Sequence, residues 1–345
     1  MAKILVTGGL GYIGSHTVVA LQEAGYEVVV VDNLSNTLAE VEDSIEKISG
    51  TRPIVHHFDV AEQGKLQNLI QDEGVEGIIH FAAFLQVNES VENPLKYYEN
   101  NIGTLVSVGK AARDSGNLPI VFSSSCTVYG NPETLPVDEN APIVNSESPY
   151  GQTKIVGEQI LKHAADAGDF PVISLRYFNP IGAHPSGEIG ELQFGEPHHL
   201  VPYITETASG KRSELKIFGS DYPTSDGTCV RDYIHVMDLA EAHVAAMKKA
   251  LSLKRGNFEA VNIGTGKGTS VLEMVKSFEN ATGLEVPYVL ADRRAGDAIA
   301  VYASAGKAKD WLKWEASRSL DETFRDAWNW EKNLAKKNIP ERENV

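Results

Sequence analysis

The stretch Lys3-Ile4-Leu5-Val6-Thr7-Gly8-Gly9-Leu10-Gly11-Tyr12-Ile13-Gly14 decides the fold. Its first five residues read as a buried strand, and the residues up to Ala24 have the apolar spacing of a helix that Gly25 ends. Glycines at such a junction let the backbone turn tightly and approach a pyrophosphate, whose negative charge suits the helix N-terminus. A glycine cluster alone is a weak signal, but the context strengthens this one. A second strand, Glu27 to Val31, runs into Asp32, where an acid that binds a ribose belongs. A purely structural turn with a solvated Asp32 accounts for less of this order. A carboxylate there favours NAD over NADP.

Working outward, further strands are expected at Ile54 to Asp59, Gly77 to Ala83, Leu118 to Ser125, Val172 to Asn179 and Phe258 to Gly264, most of them separated by helical stretches. This alternation predicts an α/β fold with a doubly wound, Rossmann-like parallel sheet. Ligands of such sheets gather beyond the carboxyl ends of the strands, where Asp32, Asp59, Phe81-Ala82-Ala83 and Ser123-Ser124-Ser125 all stand. Asn93-Pro94 opens a helix to about Arg113 that brings Asn100 to the cofactor side. After Asn179, Pro180, Gly182, Pro185, Gly187, Gly190, Gly195 and Pro197 crowd the chain and predict a second, smaller mixed α/β region. The expected division gives 1–179 with about 232–264 to the NAD-binding domain, and about 180–231 with 265–345 to the substrate-binding domain. The second domain includes a strand at Leu215 to Phe218 and a loop at Asp221 to Arg231. Ser270 with Glu273 and Ser319 with Glu322 are helix-start patterns, and the charged end from Glu331 reads as a frayed tail.

Composition narrows the function. With 345 residues and 42% hydrophobic content the chain can bury a large core, and its net charge of −16 disfavours nucleic-acid and anionic-membrane partners. An anionic substrate must then be met by locally placed arginines. Cys126 and Cys229 are too few for a disulfide framework and read as buried thiols in a reducing cytoplasm. No metal is expected, since the adjacent His198 and His199 lack a third ligand. The longest apolar run, Gly77 to Leu85, is interrupted by His80 and too short to span a bilayer, and no signal peptide is evident.

The chemistry is expected at Ser148-Pro149-Tyr150-Gly151-Gln152-Thr153-Lys154, where Ser148 can cap a helix and Pro149 fits its first position. Tyr150 and Lys154, four apart, then share one helix face, so the lysine's charge can favour the tyrosine's phenolate. A free tyrosine has a pKa of about 10, and bringing it near 7 takes about 4 kcal/mol of differential stabilisation. A lysine together with a cationic nicotinamide in a dry cleft can supply that. By itself the spacing also fits an ordinary exposed helix turn.

Taken in order with Arg176-Tyr177-Phe178-Asn179-Pro180, these motifs resemble the extended short-chain dehydrogenase/reductase family. The likeness is closer to its UDP-glucose 4-epimerases. It rests on Gly182-Ala183-His184-Pro185-Ser186-Gly187, Asp221-Tyr222-Pro223-Thr224, Asp226-Gly227-Thr228, Val230-Arg231-Asp232-Tyr233-Ile234-His235-Val236 and Arg293-Arg294-x-Gly296-Asp297, and spans Lys3 to about Trp330. The resemblance implies a tightly held NAD and an interconversion of UDP-glucose and UDP-galactose through a 4-keto sugar. Tyr150 is the implied acid–base group, with Ser125 and Lys154 beside it. Implied cofactor contacts come from Gly8, Gly11, Tyr12, Ile13, Gly14, Asp32, Asn33, Asp59, Val60, Phe81, Ala82, Ala83, Asn100, Ser123, Tyr150, Lys154, Tyr177 and Phe178. Implied UDP-sugar contacts come from Ser125, Asn179, His199, Lys216, Ile217, Phe218, Arg231, Arg294, Asp297 and Val301. Of these, Arg231 and Arg294 would hold the diphosphate and Phe218 would line the uracil pocket. The resemblance further implies a homodimer joined through the helices near Asn100 to Arg113 and Tyr150 to His163.

Three positions depart from the family pattern: Leu85 stands where a lysine is usual, His198-His199 replaces an Asn-Asn pair, and Val301 stands where bacterial members often carry tyrosine. Valine there leaves room for an N-acetyl group on the sugar, unless the strand register turns Tyr302 inward instead. Nucleotide-sugar 4,6-dehydratases and decarboxylases share the Tyr-x-x-x-Lys but add acidic groups after the active-site serine. Here that place reads Cys126-Thr127-Val128-Tyr129-Gly130, with no carboxylate. A non-enzymatic NAD sensor is the other alternative, and it would be expected to have lost Tyr150 or Lys154.

Overall fold

The structure, a computed structural model, describes residues 2–144, 146, 148–294 and 297–336. β1 (Lys3–Thr7), α1 (Tyr12–Glu23), β2 (Glu27–Asp32), α2 (Val41–Ser49), β3 (Ile54–His57), α3 (Gln63–Glu73) and β4 (Gly77–His80) alternate strand and helix. A helical stretch follows, made of α4 (Val87–Glu92), α5 (Pro94–Tyr97), a π-helical turn at Tyr98–Ile102, and α6 (Gly103–Asp114). Next come β5 (Ile120–Ser125), α7 (Pro149–Asp166), β6 (Val172–Tyr177), β7 (Asn179–Ile181), α8 (Leu200–Ala208), β8 (Leu215–Phe218) and β9 (Val230–Arg231). They are followed by β10 (Tyr233–His235), α9 (Val236–Ala250), β11 (Phe258–Ile263), β12 (Thr269–Ser270), α10 (Val271–Thr282), β13 (Tyr288–Ala291), β14 (Ala300–Val301) and α11 (Leu320–Leu334).

Seven strands form one sheet in the order β11-β6-β5-β4-β1-β2-β3, every neighbouring pair parallel. Helices cover both faces, which is why the strands read as unbroken apolar runs. In β1, Ile4 and Val6 join Val18 and Leu239 in one core layer, while Leu5 joins Leu66 and Ile78 in the other. The strand order reverses between β1 and β4, and the crevice beyond their carboxyl ends is where such sheets bind ligands.

The strands end earlier than their apolar runs suggest. β3 stops at His57 and β4 at His80, and the residues after them continue as loops at the carboxyl end of the sheet. β6 stops at Tyr177. Phe178 N still donates to Ile263 O, but Asn179 N donates to Asp232 O, so the chain changes sheets there and starts β7, which pairs with β10. The helix expected from Asn93 to Arg113 is helical throughout but loses its α register at the π turn that holds Asn100.

The second region packs around Ile204, Ile217, Met274, Phe278 and Phe324, with the Phe278 ring edge-on to Phe324 at 5.6 Å. Both expected capping boxes form, at Ser270–Glu273 and Ser319–Glu322. The tail expected from Glu331 is not frayed at its start. α11 continues to Leu334, and the buried Glu331 carboxylate pairs with Lys211 at 2.7 Å. The end of that tail, 337–345, lies outside the described residues. Ala308, Leu312 and Trp314 pack with the sheet's core, so the chain after 265 divides its packing between the two regions.

Candidate active site

The glycine loop has the shape its sequence asks for. Gly8 has φ +69°, and a Cβ on it would stand 2.9 Å from Ala82 N; a Cβ on Gly14 would stand 2.1 Å from Gly8 O. Only glycine leaves this cradle open. No side chain caps α1, so its first amides face the cradle with the helix dipole behind them. Asp32, 8% exposed, closes the far side, its Oδ2 accepting from Leu10 N at 3.1 Å and its Oδ1 from Leu34 N at 2.9 Å. Burial raises its pKa, and these two hydrogen bonds work against that rise. Next to it Asn33 Nδ2 donates to Asp59 Oδ2 at 3.1 Å, and Asp59 Oδ1 accepts from Ala61 N. Val60 is buried, its carbonyl accepting from Ser107 Oγ. Gly11 and Ile13 complete the turn. Tyr12 is turned away, its hydroxyl donating to Gly182 O at 2.7 Å, so only its main chain remains for a cofactor. The cradle, the uncapped helix and the placed carboxylate fit a dinucleotide.

Across the crevice, α7 begins as expected, with Ser148 Oγ accepting from Gly151 N and Pro149 in the first turn. Tyr150 and Lys154 share a face, and Lys154 Nζ stands 5.7 Å from the Tyr150 ring centre. Lys154 is 4% exposed, and its Nζ donates to Ser123 O at 2.7 Å. The Ser125 hydroxyl accepts from Thr127 N at 3.2 Å and lies near enough to the Tyr150 phenol to lower its pKa. The protein's own groups set the starting electrostatics, to which the cationic nicotinamide of the sequence expectation would add. Burial pushes the Tyr150 phenol up to about 12, with the nearby Ser125 hydroxyl opposing it, and burial pulls Lys154 down to about 8. Lys154 alone therefore does not make Tyr150 a base at neutral pH. Desolvation is the dominant effect on the phenol, and a second cation beside it is what the chemistry needs.

Tyr177 lies at the end of β6 with its hydroxyl donating to His243 Nε2 at 2.6 Å; His243 Nδ1 donates to Leu239 O. Phe81 packs against the same imidazole, ring centres 4.7 Å apart. The main chain of Phe81 and Ala82 lies over Gly8, with Ala83 next along the loop, and Asn100 Nδ2 donates to Asn101 Oδ1 at 3.0 Å. Asn101, which the sequence did not single out, is the buried organiser here. Its amide bonds both Phe84 N and Phe84 O and reaches Thr153 Oγ1 at 3.1 Å, tying this loop to α7. An asparagine pair inside a helix is the one local signal that marks it.

The substrate candidates gather at the edge of the second region. Arg294 stacks on Phe218, guanidinium to ring 5.0 Å, and bonds Asp297 through Nε at 3.0 Å. Arg231 lies 3.8 Å from the same carboxylate, and its Nη1 donates to Val230 O and Ala298 O. The two arginines thus converge on Asp297; Gly296 beside it lies outside the described residues. Lys216 and Phe218 share the exposed face of β8, whereas the Ile217 side chain points into the core, leaving only its main chain for a ligand. Asn179 is half-buried at the sheet switch. His199 pairs with Glu191 at 2.5 Å, which raises the imidazole's pKa, and no metal-holding cluster occurs among the described residues. Leu85 is exposed at the head of α4.

Val301 pairs with Arg231 across β14 and β9 and is buried with Phe178, Ile155 and Cys126. Tyr302 points the other way, against Gly268, so the register turns Val301 inward. Cys229 is buried as expected; Cys126 is only half-buried, at the wall between Val301 and Tyr150. Burial and the nearby Asp232 push its thiol up to about 12, against the Arg231 charge.

Comparison with known proteins agrees with this geometry. Residues 4–264 match the NAD dependent epimerase/dehydratase family. A UDP-glucose 4-epimerase of Bacillus subtilis is 51% identical over 330 residues, 95% of this chain and 96% of that one. Among solved structures, a UDP-glucose 4-epimerase of Stenotrophomonas maltophila with bound NAD and formylated UDP-arabinopyranose is 44% identical, with a TM-score of 0.95 over 97% of this chain and 99% of that chain. One from Bifidobacterium longum with NAD+ and UDP is 39% identical, with a TM-score of 0.91 over 97% and 99%. With the glycine cradle, the Asp32 carboxylate and the Tyr150–Lys154 helix face all in place, the chain belongs to the NAD-dependent epimerase/dehydratase family, among its UDP-glucose 4-epimerases.

Proposed function

We propose that this chain interconverts UDP-glucose and UDP-galactose by NAD-dependent epimerisation at C4. The observation that carries the reading is the face of α7 docked on β5, which sets Tyr150, Ser125 and Lys154 across the crevice from the glycine cradle. Bound NAD supplies what no side chain here can, a cationic ring that favours the Tyr150 phenolate and a place for the hydride that leaves C4 and returns. Tyr150 takes the proton of the 4-hydroxyl and later gives it back, Ser125 hydrogen-bonds the same oxygen, and Lys154 holds the ribose and favours the phenolate. Arg231 and Arg294 grip the diphosphate through planar donor forks while the 4-keto sugar turns over and presents its other face. To do so they exchange part of their pairing with Asp297 for phosphate oxygens. NMR assay of products from UDP-glucose, UDP-galactose and their N-acetylated counterparts tests the reading; UDP-galactose is expected from UDP-glucose, and a 4-keto-6-deoxy product would replace it with dehydration. Cys126–Tyr129 forms a 3₁₀ turn without a carboxylate, which leaves such an elimination without its acid and base.

Asp32 is the residue we assign to cofactor choice. Its remaining lone pairs suit ribose hydroxyls, and its charge repels a 2′-phosphate. Mass analysis of the cofactor released on denaturation is expected to find NAD, and NADP as the main species would overturn the assignment.

Val301 sets the room for the sugar's C2 substituent. Wild type is expected to turn over UDP-N-acetylglucosamine as well as UDP-glucose, and Val301→Tyr to lose kcat/KM mainly on the acetylated sugar, by about 10- to 200-fold. A wild type inert toward that sugar, or a variant equally impaired on both, contradicts this.

The remaining assignments concern setting. We assign a homodimer formed through α6 and α7, which lie side by side, and a cytoplasmic location; the two free thiols are consistent with the latter. No helix among the described residues is long and apolar enough to cross a membrane. Light scattering during size-exclusion chromatography checks the dimer.

A further inference from the structure

The three serines that end β5 each meet one residue of the same helix face. Ser125 lies beside Tyr150 and lowers its phenol's pKa, the Ser123 carbonyl accepts from Lys154 at 2.7 Å, and Ser124 Oγ donates to Glu158 Oε1 at 2.6 Å. Tyr150, Lys154 and Glu158 follow one another at intervals of four, so they line one side of α7 along about 12 Å of its axis. Glu158 is 3% exposed. Its Oε1 also accepts from Ser174 Oγ and Arg176 Nε, each at 2.9 Å, and its Oε2 from Arg176 Nη2 at 2.6 Å. Arg176 extends the contact, donating to the Tyr129 hydroxyl at 2.8 Å, which donates in turn to Asn262 Oδ1 at 2.7 Å.

Apart from these bonds and the Asn101–Thr153 hydrogen bond near the head of the helix, the packing of α7 is largely apolar. Gly157 lets Phe122 and Leu105 come close, and Ile155 and Leu161 pack beside it, but such packing is non-directional. Charge-assisted hydrogen bonds in a dry site are directional, and those of Glu158 reach both β5 and β6. We propose that Glu158 is a positioning residue for the acid–base pair: it locks α7 along β5 so that Tyr150 stays beside Ser125 and Lys154 stays on Ser123. The proposal rests on the reading of Tyr150 as the acid–base group and names what holds that group in place.

Two variants test it, each assayed as NAD-loaded, folded protein with UDP-glucose. Glu158→Gln keeps the shape but removes the charge that Arg176 needs; Ser124→Ala removes one helix-to-strand bond and leaves every charge. Misplacing reacting groups by 1 Å costs about 100-fold in rate, so kcat is expected to fall about 10- to 100-fold in Glu158→Gln and about 3- to 10-fold in Ser124→Ala, with KM within about twofold of wild type. The rate at which bound cofactor is reduced, read by its absorbance on mixing, is expected to fall in step with kcat. A folded Glu158→Gln with wild-type kcat, or with KM changed and kcat not, overturns the proposal. Should Glu158→Gln fail to fold, Ser124→Ala decides by the same criteria. The Tyr150→Phe variant separates the two claims: if it stays active the acid–base reading falls, and if it is inactive while both other variants match wild type, only the anchor falls.

Discussion

Tyr150→Phe is expected to lose nearly all turnover and keep its NAD. The substitution removes one oxygen and leaves the ring, so the contacts of Ile155 and Phe178 around the head of α7 persist, as does the capping of the helix by Ser148. What disappears is the group that removes and returns the proton of the 4-hydroxyl. General acid–base catalysis of this kind contributes about 10²- to 10⁴-fold, and because the same oxygen serves both halves of the cycle the upper part of that range is expected. Steady-state kcat on UDP-glucose, with bound NAD counted by absorbance, is the check. Retention of more than about a tenth of wild-type activity, a loss of under about 1.4 kcal/mol, would assign the proton transfer to another residue.

The second large effect is expected from Lys154→Ala. Burial by itself favours the neutral phenol of Tyr150, which stands at about 12. The cation 5.7 Å from its ring acts in the other direction. Taking that cation away leaves the phenol harder to ionise, so the tyrosine's pKa rises. Since the phenolate is the active form, the acidic limb of the kcat profile moves to higher pH. A rise of about two units lowers the phenolate fraction at neutral pH about 100-fold. Activity is therefore expected to fall by that order at pH 7 and to recover partly toward pH 9. A variant with residual activity and an unchanged profile would show that Lys154 serves the ribose and leaves the phenol unaffected.

These two residues were legible before any coordinates because their arrangement is local. A cap, a proline and an interval of four residues fix which side chains share a helix face, and the structure keeps that arrangement. The glycine loop was legible for the same reason: Gly8 and Gly14 are required by a turn whose neighbours in sequence are its neighbours in space, Ala82 apart. What the sequence did not disclose depends on tertiary pairing. Asn101 and Glu158 look like ordinary polar helix residues until Phe84, Thr153, Ser124 and Arg176 are brought against them. Glu331 read as the start of a loose tail because its partner, Lys211, lies 120 residues earlier in the chain. The sheet switch at Phe178 was hidden because Val172 to Asn179 stays compatible with a single strand, and only Asp232 O draws Asn179 N away. The desolvation of Tyr150 was hidden for a related reason. The helix spacing shows the lysine beside it, but the depth at which both side chains lie is set by Phe122, Ser123 and Ser125 on another element.

The central claim is that one hydrogen leaves C4 and returns to the same carbon while the protein holds the sugar. It is tested most directly with UDP-glucose deuterated at C4, incubated with the NAD-loaded protein in ordinary water and followed by NMR. The expected result is UDP-galactose that keeps its deuterium at C4, with no label passing to solvent. Deuterium lost to water, or consumption of the substrate without UDP-galactose, would contradict it.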